Sequence, residues 1–399
     1  MPLSLVDIAF LQSERAQKRL VSLANADLSD ASTLPLLSQL RRSLTAREAG
    51  TVLTMLRLRK KAIAKFPAHG ERMLFTEAGL QQASGLLARQ YRARQFEASR
   101  LLDLCCGIGA DSLAFAAANR EALGLDIDPV HIAIARHNSS ALQLPAQFAV
   151  RDIRQGIPSG YDAIFFDPAR RDDRGRRIHH VEAYLPQLSL TRQWRAREIA
   201  VKLSPSLDLR QVEAYGGALE FISVQGRLSE ALLWLHRDPV QPFATLLRKA
   251  DVLHMEDDGE ADMAVTAPRG WLLEPDPAVL RAGLVQTLGR HLQASMLDER
   301  IAYLTVDQPA PTPWARCWKI REWLPFQLKR LRRHLLARGI GRVTIKKRGF
   351  AMSPDELIAR LRLRGEGNSC VLVMTRCRGK PIAIVCDEPK LGQAPRLSL

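Results

Sequence analysis

Short apolar runs alternate with helix-like segments between residues 100 and 235, and this alternation restricts the possible folds more than any other feature of the chain. The first five runs are "RLLDLCC", "ALGLDID", "AQFAV", "DAIFFD" and "EIAVKLS". Strands that alternate with helices are typical of a parallel, doubly wound sheet. Two more runs, "LEFISVQG" and "SEALLWLH", follow each other too closely for a crossover helix, which predicts an antiparallel pair at one edge. We therefore predict an α/β fold with a doubly wound, Rossmann-like sheet.

A glycine loop follows the first strand in "LLDLCCGIGADSLAFA". Gly107 and Gly109 allow a sharp turn and the close approach of a ligand, and the N-terminus of the next helix offers free N–H groups to an anionic group. A dinucleotide fingerprint would need glycine at Ser112, and the chain has no G-K-[ST] sequence of a Walker A loop. Asp126 ends the second strand, and Asp128 before Pro129 is predicted to cap the next helix.

The D-x-x-x-G-x-G spacing that begins at Asp103 resembles the first motif of class I S-adenosylmethionine methyltransferases. The resemblance implies S-adenosylmethionine as cofactor, with Asp103 near its methionine amine and Asp126 on its ribose hydroxyls. Asp152 in "FAVRDI" would bond the adenine amine, although that sequence also fits a plain turn. The predicted cofactor-binding residues are Asp103, Cys105, Gly107, Gly109, Asp126, Ile127 and Asp152. The alternative is a doubly wound domain that binds another adenosine ligand or none.

The fourth strand ends on a carboxylate, Asp167, at the sheet edge where doubly wound folds bind their ligands. Asp167-Pro168-Ala169-Arg170 resembles the [DNS]-P-P-[YFW] motif of methyltransferases that act on exocyclic amines. In that motif the first side chain and a proline carbonyl accept hydrogen bonds from the amine. By this resemblance the candidate catalytic residues are Asp167, Pro168 and Arg170. Ala169 and Arg170 depart from the motif, and an arginine in place of the aromatic residue suits a nucleic acid because it stacks on bases and pairs with phosphates.

The loop after Asp167 is crowded with cations, namely Arg170, Arg171, Arg174, Arg176 and Arg177. The whole chain carries a formal net charge of +16, which favours an acidic partner, most commonly nucleic acid. We predict that these arginines line an entrance for a phosphate backbone. Two alternatives remain open. An arginine-rich composition can reflect a GC-rich genome, and the loop can be a solvated one in which Asp172 and Asp173 offset the arginines.

A second basic region lies between Lys319 and Arg348, with eleven Lys or Arg and one acidic residue, Glu322. The sequence predicts a helix that ends at Gly339, a strand over "RVTIKKRG", a helix capped by Ser353, and a hairpin in "CVLVMTRCRGKPIAIVCDE". Because the acids of an ordinary salt-bridged helix are missing, we predict a phosphate-binding surface. The predicted nucleic-acid-binding residues are Arg171, Arg174, Arg330, Arg333, Lys346, Lys347 and Arg348.

The C-terminal stretches "IGRVTIKKRGF" and "LIARLRLRG" resemble a family of bacterial methyltransferases with a THUMP-like C-terminal domain and a small ferredoxin-like domain before it. The core, in "DLCCGIGADSLAFA", is also similar to the RNA cap guanine-N2 methyltransferases. THUMP domains bind RNA in RNA-modifying enzymes, so the resemblance implies RNA, with tRNA or rRNA first, as the partner. Leucines at helical spacing, such as Leu36, Leu40 and Leu44, predict a helical domain over 1–75. With the resemblance, the chain is predicted to have three more domains: methyltransferase over 76–240 (opening with one helix over 76–96), α+β ferredoxin-like over 241–316, and THUMP-like over 317–399.

The start of the chain has no basic segment before an apolar stretch, and no apolar run is long enough to span a bilayer. Six scattered cysteines include no C-x-x-C pair, which argues against a zinc site and a disulfide framework. We predict a reduced, cytoplasmic protein without a metal or a membrane partner.

The leading hypothesis is an S-adenosylmethionine-dependent RNA methyltransferase that acts on a base amine. Methylation of a pyrimidine C5 is disfavoured, because no cysteine nucleophile lies between Asp167 and the end of that domain. A second hypothesis changes the acceptor to DNA, a protein or a small molecule. A third is a non-catalytic RNA-binding protein that senses S-adenosylmethionine. It is disfavoured because the site residues are all present, namely Asp103, Gly107, Gly109, Asp126 and Asp167.

Overall fold

The computed structural model describes residues 2–172, 174–238, 241–259 and 262–388. Asp173, which belongs to the arginine loop, and the part of the predicted THUMP-like domain after Glu388 lie outside the described residues. The chain divides into two compact units. The first comprises Met1–Glu220, Ser229–Val240 and Leu247–Asp251, and the second comprises Phe221–Leu228, Gln241–Leu246 and Val252–Leu399.

Helices fill the N-terminal segment, as its leucine spacing predicts. They are α1 Leu5–Gln12, α2 Glu14–Ser22, α3 Asp30–Leu40, α4 Ala46–Ala62, α5 Glu77–Gln82 and α6 Leu86–Gln95. Capping boxes begin α1 at Ser4 and α4 at Thr45, where the hydroxyl and a first-turn carboxylate satisfy each other's backbone donors. Val52 and Leu56 of α4 share one core with Leu113, which follows the glycine loop. The N-terminal helices are therefore packed onto the part of the first unit that carries the glycine loop.

The prediction of one helix over 76–96 is wrong. Thr76 does cap α5, but the chain leaves the helical conformation at Ala83 and begins α6 after Gly85. Side-chain cations satisfy the carbonyl groups that this break exposes: Lys65 Nζ lies 2.6 Å from the Ala83 oxygen. Such long-range contacts outweigh the helical periodicity that the sequence shows over the whole stretch.

The predicted doubly wound sheet is confirmed. Its strands are β1 Arg100–Leu104, β2 Glu121–Asp126, β3 Gln147–Val150, β4 Ala163–Phe166, β5 Glu198–Leu203, β6 Ala218–Val224, β7 Arg227–Trp234, β8 Phe243–Leu247 and β9 Val252–Met255. They lie in the order β3-β2-β1-β4-β5-β7-β6-β8-β9. The first five are parallel, and β7 pairs antiparallel with β5. Helices α7 Ala110–Ala117 and α8 Pro129–Leu142 form the first two crossovers, whereas short 3₁₀ turns stand in the next two.

The pair β6–β7 does not lie at the edge of the sheet, contrary to the prediction, because β8 and β9 extend the sheet beyond β6. The run from Ala218 to Ser223 is buried without a break, which is the pattern of an interior strand.

The second sheet lies in the second unit. Its strands are β10 Trp271–Pro275, β11 Ser295–Asp298, β12 Ile301–Val306, β13 Ala315–Pro325, β14 Ile340–Lys347, β15 Asn368–Cys377 and β16 Lys380–Cys386. They lie in the order β11-β12-β10-β13-β16-β15-β14. The helices are α9 Pro277–Arg281, α10 Val285–His291, α11 Leu328–Ala337 and α12 Pro354–Leu361. Leu331 of α11 and Leu357 of α12 share a core with Leu372 of β15.

The predicted helix ends of this unit are observed. Ser353 caps α12 by accepting a hydrogen bond from the Glu356 amide, and Gly339 follows α11 with a positive φ of 65°. The sequence "EPDPAVLRAGLVQTLG" predicts one helix capped by Asp276 before Pro277. Asp276 does cap α9, but the helix breaks at Gly283, where φ is 79°. A glycine adopts this left-handed conformation without strain, so it separates α9 from α10.

Candidate active site

The glycine loop begins after β1, which ends at Leu104, and its backbone requires the two predicted glycines. Gly107 and Gly109 have φ values of 54° and 81°, and a Cβ on Gly109 would lie 2.8 Å from the Phe148 ring. A Cβ on Gly107 would instead meet open space. The Gly107 amide donates to Asp126 Oδ2 over 2.9 Å, which ties the loop to the end of β2. The loop is therefore held in place while its backbone at Gly107 stays accessible.

Asp103 is buried at the end of β1. Its Oδ2 accepts a hydrogen bond from the Ser112 hydroxyl, whereas its buried Oδ1 has no partner within the described residues. Burial and the negative charge of Asp111 raise the pKa of Asp103 above its usual range. An orphaned buried oxygen costs free energy unless a bound group donates to it.

Asp126 is fixed by two backbone amides, those of Gly107 and Asp128, each at 2.9 Å and each on a different oxygen. A carboxylate oxygen has a second lone pair, so both oxygens remain able to accept hydrogen bonds from a ligand. Asp128 also caps α8 by accepting from the Val130 amide, as predicted. The neighbouring Ile127 side chain is exposed.

Two other predicted cofactor residues have local roles in the structure. Asp152 begins a 3₁₀ turn and forms an ion pair of 2.7 Å with Arg154. Cys105 has a positive φ of 63°, and burial followed by the surrounding carboxylates raises the pKa of its thiol well above its usual range. A thiol in that state is a poor nucleophile.

Asp167 lies at the carboxyl edge of the sheet, next to the glycine loop. Its amide donates to the Leu104 oxygen over 3.1 Å, which continues the pairing of β4 with β1. Its Oδ2 lies 2.6 Å from the Lys202 ammonium, while Oδ1 accepts no hydrogen bond from the described residues. Pro168 is buried, and Arg170 donates to the Leu203 oxygen over 3.0 Å. Asp167 therefore presents one acceptor oxygen beside the predicted cofactor loop.

The described residues of the arginine loop, on either side of Asp173, are joined by backbone hydrogen bonds. Arg171 and Arg177 form an antiparallel bridge, and Asp172 accepts hydrogen bonds from the backbone amides of Arg174 and Arg176. The side chains of Arg171, Arg174, Arg176 and Arg177 are exposed. The one described acid in the loop thus shapes its backbone and also pairs with Arg176 at 2.7 Å.

The basic residues of the second unit fall into two groups. Arg330 and Arg333 on α11 and Lys347 on β14 are exposed, and none of them forms an ion pair within the described residues. Lys346 and Arg348 are engaged in the structure: Lys346 pairs with Glu274 at 2.8 Å, and Arg348 donates to the Ala302 oxygen at 2.8 Å.

A buried charge network next to Asp167 escaped sequence reasoning. It runs from Lys202 through Ser84 and Asp111 to Arg92 and Glu230, all of them buried. The signal that could have revealed it is a charged residue inside an apolar strand sequence. Lys202 in "EIAVKLS" and Glu230 in "SEALLWLH" are such residues, and buried charges are seldom found without partners.

Neither a metal cluster nor a membrane helix is found within the described ranges. No group of three His, Cys, Asp or Glu side chains there could hold a metal ion. No helix of those ranges is long and apolar enough to cross a membrane.

The sheet order and the glycine loop after β1 are those of a class I methyltransferase fold. Comparison with known proteins agrees. Residues 66–186 match the Methyltransferase small domain family, and residues 315–388 match the THUMP domain-like family. A crystal structure of a Porphyromonas gingivalis W83 protein assigned to the methyltransferases superposes with a TM-score of 0.77 at 19% identity, over 98% of this chain and 100% of that one.

A closer sequence relationship identifies the family. The chain is 37% identical over 307 residues to the uncharacterized S-adenosylmethionine-dependent methyltransferase of Mycobacterium tuberculosis, Rv3037c in strain H37Rv and MT3122 in strain CDC 1551. The match covers 75% of this chain and 84% of the relative. The chain belongs to this family of class I S-adenosylmethionine-dependent methyltransferases, and it carries a C-terminal THUMP-like domain.

The residues around the glycine loop fit the cofactor, S-adenosylmethionine. The orphaned Asp103 oxygen suits a donor such as the methionine ammonium group. Gly107 offers open backbone, and the anchored Asp126 carboxylate keeps lone pairs for two ribose hydroxyls. Asp103, Gly107 and Asp126 would hold the cofactor, which supplies an activated methyl group on a sulfonium.

Proposed function

We propose that this methyltransferase modifies RNA in the cytoplasm, at an exocyclic amine of a base. The observation that carries the proposal is the Asp167 carboxylate, which stands at the carboxyl end of β4 beside the glycine loop with Oδ1 free of bonds from the described residues. A carboxylate oxygen accepts hydrogen bonds from an amine and so directs the nitrogen lone pair. Since the methyl group arrives activated, the protein mainly needs to position the acceptor.

The acceptor site on this proposal is Asp167 with Pro168 and Arg170. The proline carbonyl gives a second acceptor for the amine. Arg170 replaces the aromatic residue of the amine motif, and its planar guanidinium can stack on a base or pair with a phosphate. Cys105, with its raised thiol pKa, has no part in the chemistry we propose.

Support for RNA comes from the exposed cations and from the THUMP-like domain. Arg171 and Arg174 extend from the loop that follows Asp167, and Arg330, Arg333 and Lys347 are exposed in the second unit. Arginine and lysine contacts with phosphates supply most of the sequence-independent affinity for nucleic acid. The net charge of +16 favours the same partner. We propose a structured RNA, tRNA or rRNA, as the substrate.

The test is transfer of radiolabelled methyl from S-adenosylmethionine into total RNA from a host strain that lacks this protein. RNA from the parent strain, whose sites are already filled, serves as the control, and the Asp167→Ala variant serves as the inactive enzyme. We expect label only in the RNA of the deletion strain and only with the wild-type chain, and digestion then names the nucleotide.

Two results would contradict the proposal. Equal labelling by Asp167→Ala would remove Asp167 from the acceptor site. A chain that binds S-adenosylmethionine in calorimetry but labels no RNA would point to DNA, a protein or a small molecule as acceptor, or to a protein that senses the cofactor.

A further inference from the structure

A buried lysine lies directly behind Asp167. Lys202 on β5 is 4% exposed, and its ammonium lies 2.6 Å from Asp167 Oδ2 and 3.0 Å from the Ser84 hydroxyl. A buried ammonium is tolerated only when it is paired and hydrogen-bonded. These two contacts therefore determine the position of the ammonium, and they engage Oδ2 of Asp167 rather than Oδ1.

We propose that Lys202 is a positioning residue for methyl transfer. It binds Oδ2 of Asp167 and so holds the carboxylate in the one orientation that leaves Oδ1 for the acceptor amine. The inference deepens the proposed function and rests on the role assigned there to Asp167. It also gives the N-terminal helices a part in the site, because Ser84 comes from the break between α5 and α6.

Side-chain hydrogen bonds hold the break between α5 and α6, which carries Ser84. Lys65 donates to three carbonyl oxygens at the end of α5, those of Leu80, Gln81 and Ala83, at 2.9, 2.7 and 2.6 Å. Arg89 donates to the Ser84 oxygen and to the Lys65 oxygen, both at 2.9 Å. A half-buried lysine and a buried arginine thus hold the backbone on either side of Ser84, and this fixes the position of the hydroxyl that contacts Lys202.

The far side of Ser84 is equally constrained. Its hydroxyl donates to Asp111 Oδ2 over 3.0 Å, which leaves its lone pairs for the Lys202 ammonium. Arg92 bonds the other Asp111 oxygen at 3.2 Å and is itself paired with Glu230. Burial raises the pKa of Asp111, but the positive charges of Arg92 and Lys202 outweigh burial and lower this pKa. Asp111 therefore stays ionised and accepts the hydrogen bond from Ser84. Within the first unit, Lys202 is therefore held by a chain of buried contacts that leads from the acceptor site to Glu230 on β7.

The experiment compares Lys202→Met and Ser84→Ala with a matched serine variant, Ser206→Ala, whose side chain is exposed after β5. Each full-length chain is tested for S-adenosylmethionine affinity by calorimetry and for the rate of methyl transfer at saturating RNA and cofactor. We expect Lys202→Met to slow transfer on the order of tenfold to a hundredfold, as misplacement of a reacting group does, with unchanged cofactor affinity. Ser84→Ala should lower the rate less, and Ser206→Ala should leave it unchanged.

A wild-type transfer rate in Lys202→Met would overturn the inference. Weaker S-adenosylmethionine binding by Lys202→Met with an unchanged transfer rate at saturation would overturn it as well. Ser84→Ala removes a single hydroxyl, so it keeps the test open if Lys202→Met does not fold.

A second measurement separates this inference from the proposed function. In urea denaturation, Lys202→Met, Asp167→Asn and the double variant form a cycle that needs no substrate. A double loss of stability smaller than the sum of the single losses supports the contact, even if RNA is never labelled. Additive losses would show that Lys202 does not hold Asp167, whatever the acceptor is.

Discussion

Replacement of Arg92 by methionine is expected to destabilise the first unit strongly. The Arg92 side chain is 0% exposed and forms ion pairs with Asp111 and Glu230, both also buried. Burial alone would lower the pKa of Arg92, but the two carboxylates raise it above its ordinary value. The guanidinium is therefore a fixed positive charge between two negative ones.

The magnitude follows from what the substitution leaves behind. Methionine is apolar and flexible enough to fill much of the same space, so the cavity cost is small. The main cost is that two buried carboxylates lose their cation, and breaking one buried ion pair in this way costs about 3–5 kcal/mol. A loss of this size is a large fraction of the roughly 5–15 kcal/mol by which a domain is stable.

Urea denaturation followed by circular dichroism measures the effect, with Lys18→Met as the control. Lys18 pairs with Glu14 on the surface of α2, where the Lys18 side chain is 74% exposed and the Glu14 side chain 81% exposed. Such a helical pair contributes about 0.3–0.5 kcal/mol. Adding Glu230→Gln to Arg92→Met should restore part of the stability, because one unpaired charge is removed. A loss of stability below about 1 kcal/mol for Arg92→Met would refute the reasoning, because two buried carboxylates without a cation destabilise a folded protein by more than that.

Three further outcomes are expected. Asp126→Ala should weaken S-adenosylmethionine binding by about 1.5–3 kcal/mol, the contribution of a hydrogen bond to a charged group, or roughly 10–150-fold in Kd by calorimetry; an unchanged Kd would exclude Asp126 from the site. Asp103→Asn should raise Tm more at pH 8 than at pH 5. Burial and Asp111 raise the pKa of Asp103 in the folded state, whereas the carboxyl of the unfolded chain ionises above about pH 4. The wild-type protein therefore loses stability as the pH rises, and the asparagine variant lacks this loss. An equal Tm shift at both pH values would contradict that assignment. Arg174→Gln should reduce the slope of log Kd for RNA against log salt by about one, whereas Lys18→Gln should not; an unaltered slope for Arg174→Gln means no phosphate contact there.

Local features of this protein follow from its sequence because they depend on a few neighbouring residues. The caps at Asp128, Asp276 and Ser353 are observed where a small polar residue precedes proline. The glycine loop is equally local, since Gly107 and Gly109 each need a positive φ within one turn. Parallel strands that end on carboxylates bring those ends to one sheet edge, so the placement of Asp126 and Asp167 follows from the strand pattern as well.

The rest was decided by contacts between residues far apart in the chain. Lys202 and Ser84 are 118 positions apart, and Arg92 and Glu230 are 138. The helical periodicity over 76–96 gave no sign of the break that places Ser84, and neither did the strand pattern show that β8 and β9 extend the first sheet. The strand and helix pattern predicted the fold class and the carboxylates at strand ends, Asp126 and Asp167, and the resemblance to a known family predicted the cofactor. The partner of each buried charge depended on the tertiary structure, because a charge taken out of water must be paired, and only packing decides which opposite charge is near.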